Sequence, residues 1–278
     1  MAITSPSNSK VALLRSLHSP KGRAEARAFF VEGPHVVGAA LDARLTPSLL
    51  LYDPETLGRT AEGRALLERI AQEPEAATEG EALEASPRVI AHASDTQTPQ
   101  GVVGAIQLDD VAPEKLRTRR RGRFRPLVLV LDALADPGNL GTILRSALAA
   151  DVDEVLLTRN CVDPYNPKVV RAASGAHFHL PLAVQQSWEQ IAQRLAGAPK
   201  TAQIALAEAG AARPYYALDL TQRTGLIIGN EARGPSAEAR KLATERVSIP
   251  MWNGVESLNA AIAASILLFE ATRQQRQK

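Results

Sequence analysis

A chain of 278 residues is long enough for two domains, and a composition 45% hydrophobic and 22% charged is that of a globular protein. The formal net charge of +2 is too small to identify a partner, and the one cysteine, Cys161, excludes an internal disulfide. No cysteine and histidine set has zinc-ligand spacing, no apolar run reaches membrane length, and residues 1–10 lack the apolar core of a signal peptide. The expectation is a cytoplasmic protein with no metal and no membrane contact.

In chain order, residues 11–17 read as a short helix, and Lys21, Arg23 and Arg27 form a basic segment before a strand at 29–31. Pro34 suits a first helical position, and Val36, Val37, Ala40 and Leu41 continue at helical spacing. Residues 49–52 and 102–106 are strands and 65–70 a helix, so residues 1–110 read as a small α/β domain. Between Glu73 and Pro87 the chain is rich in Ala and Glu, which predicts an exposed helix or a loose loop. Residues 111–125 are the most basic stretch, with Lys115, Arg117, Arg119, Arg120, Arg121, Arg123 and Arg125. A charge run is ordinarily a solvated linker, but one this concentrated in a nearly neutral chain also suits a phosphate-neutralising arm.

A second domain, residues 126–278, opens on a continuous apolar run at 127–131, the pattern of a strand buried on both faces of a parallel sheet. After Asp136-Pro-Gly-Asn-Leu-Gly141 a helix turns Leu140, Ile143, Leu144 and Ala147 inward. Strands follow at 155–157, 204–207, 225–229 and 247–249, and a helix at 167–174 stops at Gly175. Strand and helix alternate, so the fold class is α/β with a parallel sheet. Pro250 ends the last strand. From Leu258 the residues Ala261, Ile262, Ile266 and Phe269 recur at spacings of three and four, which predicts a final helix packing that face inward.

Ligands of open parallel sheets bind beyond the carboxyl ends of the strands, where three polar loops fall: 136–141, 230–234 and 249–259. Taken singly, each residue there has a plain structural reading. Asn139, Ser257 and Asn259 suit helix caps, Arg145 a solvated surface charge, and Glu231 a dipole contact at a helix start. The first loop has neither the three-glycine dinucleotide fingerprint nor a phosphate-loop lysine, so nicotinamide enzymes and nucleotide triphosphatases are poorly supported. Cys161 reads as structural or incidental.

Together the loops form an ordered signature: Asn139-x-Gly141-x-x-x-Arg145, then Gly229-x-Glu231-x-x-Gly234, then Ile249-Pro-Met251 with Ser257-Leu-Asn259. It resembles the three motifs of the SpoU (TrmH) RNA 2'-O-ribose methyltransferases of the SPOUT superfamily. Lys168-Val-Val-Arg171 with Ser174-Gly175 looks like the family's intervening segment, and Lys21-Gly-Arg23 with Phe29-Phe-Val-Glu-Gly33 is similar to the start of the ribosomal-protein-like RNA-binding domain of many members. Trp252-Asn253 departs from the pattern by placing a bulky aromatic where small residues are common.

The resemblance implies a deep trefoil knot at the C-terminal end of the sheet holding S-adenosylmethionine, and methyl transfer to a ribose 2'-hydroxyl of structured RNA. Ribosomal RNA is favoured over transfer RNA by the extra first domain. By the same resemblance, Gly229, Ile249, Met251 and Leu258 hold the cofactor, and Arg145 activates the hydroxyl, either as a base or as a clamp on developing oxyanion charge. Asn139, Glu231, Ser257 and Asn259 would orient the reacting groups, and the protein would be a homodimer with sites near its interface. The alternatives are a tRNA 2'-O-methyltransferase, a base methyltransferase of another knotted family, and a non-catalytic RNA-binding or ribosome-assembly factor of the same fold.

Overall fold

The computed structural model describes residues 2–72, 80–119, 127–196 and 203–277. The chain forms two compact units, one of Met1–Ala112 with Tyr165–His179 and the other of Pro113–Pro164 with Leu180–Lys278.

In the first unit, strands β1 (Ala28–Glu32), β2 (Leu49–Tyr52), β3 (Glu81–Glu84) and β4 (Val102–Gln107) form a sheet in the order β1-β4-β2-β3. β4 runs antiparallel to β1 and β2, and β2 runs parallel to β3. Helices α1 (Ser9–Ser16), α2 (Pro20–Ala26), α3 (Pro34–Asp42), α4 (Pro54–Leu57), α5 (Ala61–Gln72) and α6 (Pro87–Ala93) accompany it. Val11, Leu14, Phe30, Leu51, Ile90 and Val103 share one buried cluster that joins α1 and α6 to the sheet.

Two expectations change here. The Ala- and Glu-rich stretch, of which 73–79 lie outside the described residues, contains β3 and leads into α6. β3 is an edge strand in which only Leu83 packs against the core, so its apolar pattern is weak while its backbone is paired. The basic segment is helix α2, and Arg23 is buried with Nη1 donating to Leu17 O at 2.8 Å. A Cβ on Gly22 would lie 2.0 Å from Ser16 O, so Lys21-Gly-Arg23 reports how α2 packs on the end of α1.

Residues 165–179, which the sequence reading leaves within 126–278, pack in the first unit. They contain α9 (Pro167–Ala173). Phe29 meets Tyr165 at a ring-centroid distance of 5.1 Å and Phe178 at 6.4 Å. The buried Glu32 accepts from Ser94 Oγ, from Thr96 Oγ1 at 2.5 Å and from Asp95 N at 3.2 Å, and Arg171 reaches Asp95 at 3.2 Å.

The second unit opens with α7 (Pro113–Arg119), so part of the expected linker is helical. Leu116 is buried, and Arg117 is ion-paired to Glu154, which Arg194 also meets at 2.7 Å. Arg120, Arg121, Arg123, Arg125 and Pro126 lie outside the described residues. Strands β5 (Leu127–Leu131), β6 (Glu154–Thr158), β7 (Leu182–Gln186), β8 (Gln203–Ala207), β9 (Arg213–Pro214), β10 (Thr224–Ile228) and β11 (Glu245–Ser248) form a wholly parallel sheet in the order β7-β6-β5-β10-β8-β11-β9. β5 and β10 are buried along their full length, which is why they read as unbroken apolar runs. Helices α8 (Pro137–Ala149), α10 (Trp188–Ala196), α11 (Ala237–Leu242) and α12 (Ala260–Arg276) complete the unit.

α8 buries Leu140, Ile143, Leu144 and Ala147 as its spacing predicts. α12 forms as expected, but of the face expected to pack inward only Ala261 is buried. Its inward face is Ala260, Ala261, Ala264, Leu267, Leu268 and Ala271, whereas Ile262 is 54% and Phe269 49% exposed. The first ten residues of the helix are apolar apart from Ser265, so periodicity alone selects no face there. The alanines permit close approach to α8, sealed by Ser146 Oγ and Ser265 Oγ at 2.8 Å. Among the described residues, no helix is long and apolar enough to cross a membrane.

Leu129, fully buried in the interior strand β5, gives a stability prediction. Leu129→Ala should cost about 2–5 kcal/mol, read as a lower urea midpoint with unchanged slope.

Candidate active site

The second unit's three polar loops gather beyond the carboxyl ends of its strands. In the first, Pro137 begins α8 and Asp136 caps it, with Oδ1 accepting from Asn139 N at 2.7 Å. Asp136 therefore does the capping that Asn139 was eligible for, and the Asn139 side chain is released for other contacts. In the third loop Asn259 caps α12, its Oδ1 accepting from Ala261 N at 2.9 Å and Ile262 N at 3.2 Å. That orientation leaves the Asn259 amide group to donate, and Nδ2 meets Asn139 Oδ1 at 2.8 Å. Asn139 Nδ2 in turn donates to Glu231 Oε1 at 3.0 Å.

One hydrogen-bonded chain, Asn259 to Asn139 to Glu231, thus joins all three motifs, and each amide's polarity is set by its neighbour. The link to the carboxylate is charge-assisted, and in isolation such bonds contribute about 1.5–3 kcal/mol, with solvent exposure reducing that here.

The second loop is closed by its own side chains. Asn230 Oδ1 accepts from Ala232 N and Arg233 N, both at 3.0 Å, and its Nδ2 donates to Ala133 O at 2.7 Å. The buried Asp132 at the end of β5 accepts from Ser236 N at 2.7 Å. A Cβ on Gly229 would lie 2.6 Å from Pro235 N and 2.8 Å from its Cα. The close approach that requires glycine is thus made by the chain's own backbone. Asp132, Asp136 and Asn230 are positioning residues that the sequence reading passed over. The available signal was the Asn-x-x-x-Gly turn pattern at 230–234 and the Asp-Pro pair at 136–137.

Between the second and third loops lies a cavity of about 400 Å³, within the range of roughly 300–1,000 Å³ typical of ligand pockets. Gly229, Ile249, Met251 and Leu258 all line it, as do Glu231 and Ser257. Ile228 and Val247 add apolar wall, while Glu208 and Glu256 add carboxylates. Such a lining suits a ligand with a flat apolar ring and a positive charge. Among the described residues, no group of three His, Cys, Asp or Glu side chains is placed to hold a metal ion.

Arg145 is exposed on α8, outside the cavity lining, and no ion pair or hydrogen bond ties it to another described residue. Within one chain the structure therefore does not bring Arg145 into the Asn139, Glu231 and Asn259 network. Cys161 donates from Sγ to Leu131 O at 3.2 Å, and burial pushes its thiol pKa up, which fits a structural role.

The chain is similar to known proteins over nearly its whole length. Residues 126–269 match the model of the SpoU rRNA Methylase family, and residues 8–104 match an MRM3-like substrate binding domain. The chain is 34% identical to an uncharacterized tRNA/rRNA methyltransferase of Synechocystis sp., over 99% of this chain and 94% of that one. It is 32% identical to the 23S rRNA (guanosine(2553)-2'-O)-methyltransferase of Bacillus subtilis, over 96% of this chain and 97% of that one. Its structure is similar to the crystal structure of an AdoMet-bound rRNA methyltransferase from Sinorhizobium meliloti, with a TM-score of 0.81, 31% identity, and coverage of 98% of this chain and 97% of that one.

Adding a methyl at Gly229 tests how the cavity is built. Gly229→Ala should displace the 230–235 loop at a cost of about 1–3 kcal/mol. Calorimetry with S-adenosylmethionine should then show affinity lowered by roughly ten- to a hundredfold, with the circular dichroism of the sheet retained.

Proposed function

Because this chain belongs to the SpoU rRNA Methylase family, we propose that it moves a methyl group from S-adenosylmethionine to a ribose 2'-hydroxyl of structured RNA, with ribosomal RNA as its substrate. It is an RNA (ribose-2'-O-)methyltransferase. The observation that carries the reading is the hydrogen-bonded chain from Asn259 through Asn139 to Glu231 at the rim of the lined cavity.

The residues present fit the cofactor. Ile249, Met251 and Leu258 offer an apolar slot for the adenine, and the carboxylates of Glu208, Glu231 and Glu256 favour a cationic ligand. When bound, S-adenosylmethionine supplies an electrophilic methyl group. What remains for the chain is to hold the ribose and manage the charge and proton of its hydroxyl. Asn139 and Asn259, locked by their mutual hydrogen bond, fix the rim where the ribose docks. Glu231 orients Asn139, and Ser257, on the cavity lining, faces the reacting groups. Arg145 carries a planar forked cation suited to the charge developing on the 2'-oxygen, and a guanidinium stays protonated, so its role is a clamp with the proton passing to a neighbour or water.

Since Arg145 lies outside its own chain's cavity lining, a homodimer is the natural completion of the site. Ile262, Ile266 and Phe269 follow one another at spacings of four and three on the outer side of α12, and two of them are about half exposed. In this reading residues 1–110 bind RNA through a ribosomal-protein-like α/β domain, 111–125 add basic charge, and 126–278 carry the knotted methyltransferase. The protein works in the cytoplasm. The match of residues 8–104 to an MRM3-like substrate binding domain, with the likeness over nearly the whole chain to a 23S rRNA methyltransferase, supports ribosomal over transfer RNA.

Single-turnover methyl transfer to RNA tests the chemistry. Arg145→Ala should slow transfer by roughly a hundredfold or more, with cofactor affinity and melting temperature nearly unchanged, and Arg145→Lys should rescue little. Near-normal transfer by the alanine variant would remove Arg145 from the reaction. The double variant Ile262→Glu with Phe269→Glu should run as a monomer in size-exclusion chromatography with light scattering and should lose methyl transfer. A dimer retained by that variant would place the interface elsewhere.

A further inference from the structure

A second cavity, about 810 Å³, opens at the carboxyl ends of β5, β6 and β7 in the same unit. Loop 230–235 separates it from the first cavity, with Asn230, Arg233 and Pro235 lining both. A ligand seated here lies one loop's thickness from the methyl donor's pocket, yet the three motifs leave the cavity without a role.

Its lining has the chemistry of a nucleotide site. Arg159 and Arg233 both border it, both are exposed, and neither guanidinium makes a hydrogen bond or an ion pair to a described residue, although Arg159 lies close enough to Glu189 for the two charges to act on each other. Elsewhere in the unit Arg117, Arg194, Arg213 and Arg240 are matched to carboxylates, whereas these two guanidiniums keep their donors available to an anion on a cavity that Asp132, Glu189 and Glu238 also line. Trp188 is half-buried, packed against the core on one side and lining the cavity on the other. Beside it Glu189 is held below the ordinary carboxylate range, chiefly by the Ser187 hydrogen bond, and offers acceptors only.

We propose that this cavity is a subsite for an RNA nucleotide next to the acceptor ribose. Arg159 and Arg233 grip its phosphodiester, its base lies against Trp188, and Glu189 accepts from the base's N–H groups. Phosphate contacts set register and stacking tolerates sequence, so the subsite fixes where along the strand the acceptor 2'-hydroxyl falls. The proposal rests on the reading of the protein as an RNA methyltransferase.

The test uses the full chain with Trp252→Phe, which leaves Trp188 as the sole tryptophan of the two present. Guanosine 3',5'-bisphosphate should quench its emission saturably, guanosine should do so only at higher concentration, and inorganic phosphate should not quench it. Arg159→Gln should raise the half-saturating bisphosphate concentration about tenfold. It should raise KM for RNA by a similar factor, with kcat and S-adenosylmethionine affinity nearly unchanged, because Arg159 lines only the second cavity. Arg233→Gln should weaken bisphosphate and RNA as well. If the parent methylates RNA while Arg159→Gln alters neither the titration nor KM, the subsite is wrong and the methyltransferase reading stands. If the parent transfers no methyl group to any RNA, the methyltransferase reading fails, and a titration unmoved by Arg159→Gln would then overturn the subsite as well.

Discussion

The Asn139 side chain is the point on which the second unit's functional end depends. It accepts from Asn259 at the head of α12 and donates to Glu231 in the loop after β10, so two segments more than ninety residues away in sequence are tied to the first turn of α8. An amide is suited to this because it presents a donor and an acceptor at one end of a short stem. A carboxylate at 139 would face Glu231 with like charge, and an aliphatic side chain would leave both neighbours without their partner.

That junction exists only because capping is delegated. Asp136 takes the orphan donor at the start of α8, and Asn259 satisfies the start of α12 with its oxygen while keeping its amide group free. The sheet sets the same requirement at larger scale. β10 lies between β5 and β8, so the loop leaving β10 emerges beside the one leaving β5, and the buried Asp132 fastens them through Ser236. Gly229 then lets the 230–235 loop fold back on its own strand, and the turned loop becomes the wall of a cavity on each side.

Positive charge in this protein divides by environment. Arg23 is spent on Leu17 O inside the first unit, Arg171 on Asp95, and Arg117 on Glu154, so these three basic side chains serve the structure. Arg145, Arg159 and Arg233 are the contrast: exposed, with guanidiniums that make no hydrogen bond or ion pair among the described residues, they keep the capacity to meet an anion. A count of lysines and arginines cannot distinguish the two groups, because the difference is whether a carbonyl or carboxylate lies within about 3–4 Å.

By itself the sequence determined the α/β class, the strands β5 and β10, the inward face of α8 and the membership of the three polar loops. Each of these rests on local pattern: unbroken apolar runs, helical spacing, or turn residues at fixed offsets. It also carried Gly229, Ile249, Met251 and Leu258 to one cavity and Asn139, Glu231 and Asn259 to one network, through the order of its motifs. Tertiary structure decided the rest. The edge strand β3 and the two-residue β9 have too little apolar signal to be read, and they exist because a neighbouring backbone pairs with them. The outward turn of Ile262 and Phe269 was undecidable where the first ten residues of α12 are apolar apart from Ser265, until the small residues of α12 met α8. Residues 165–179 joined the first unit through Phe29 and Arg171, and Asp136 rather than Asn139 became the cap, because a partner distant in sequence outweighed the local preference.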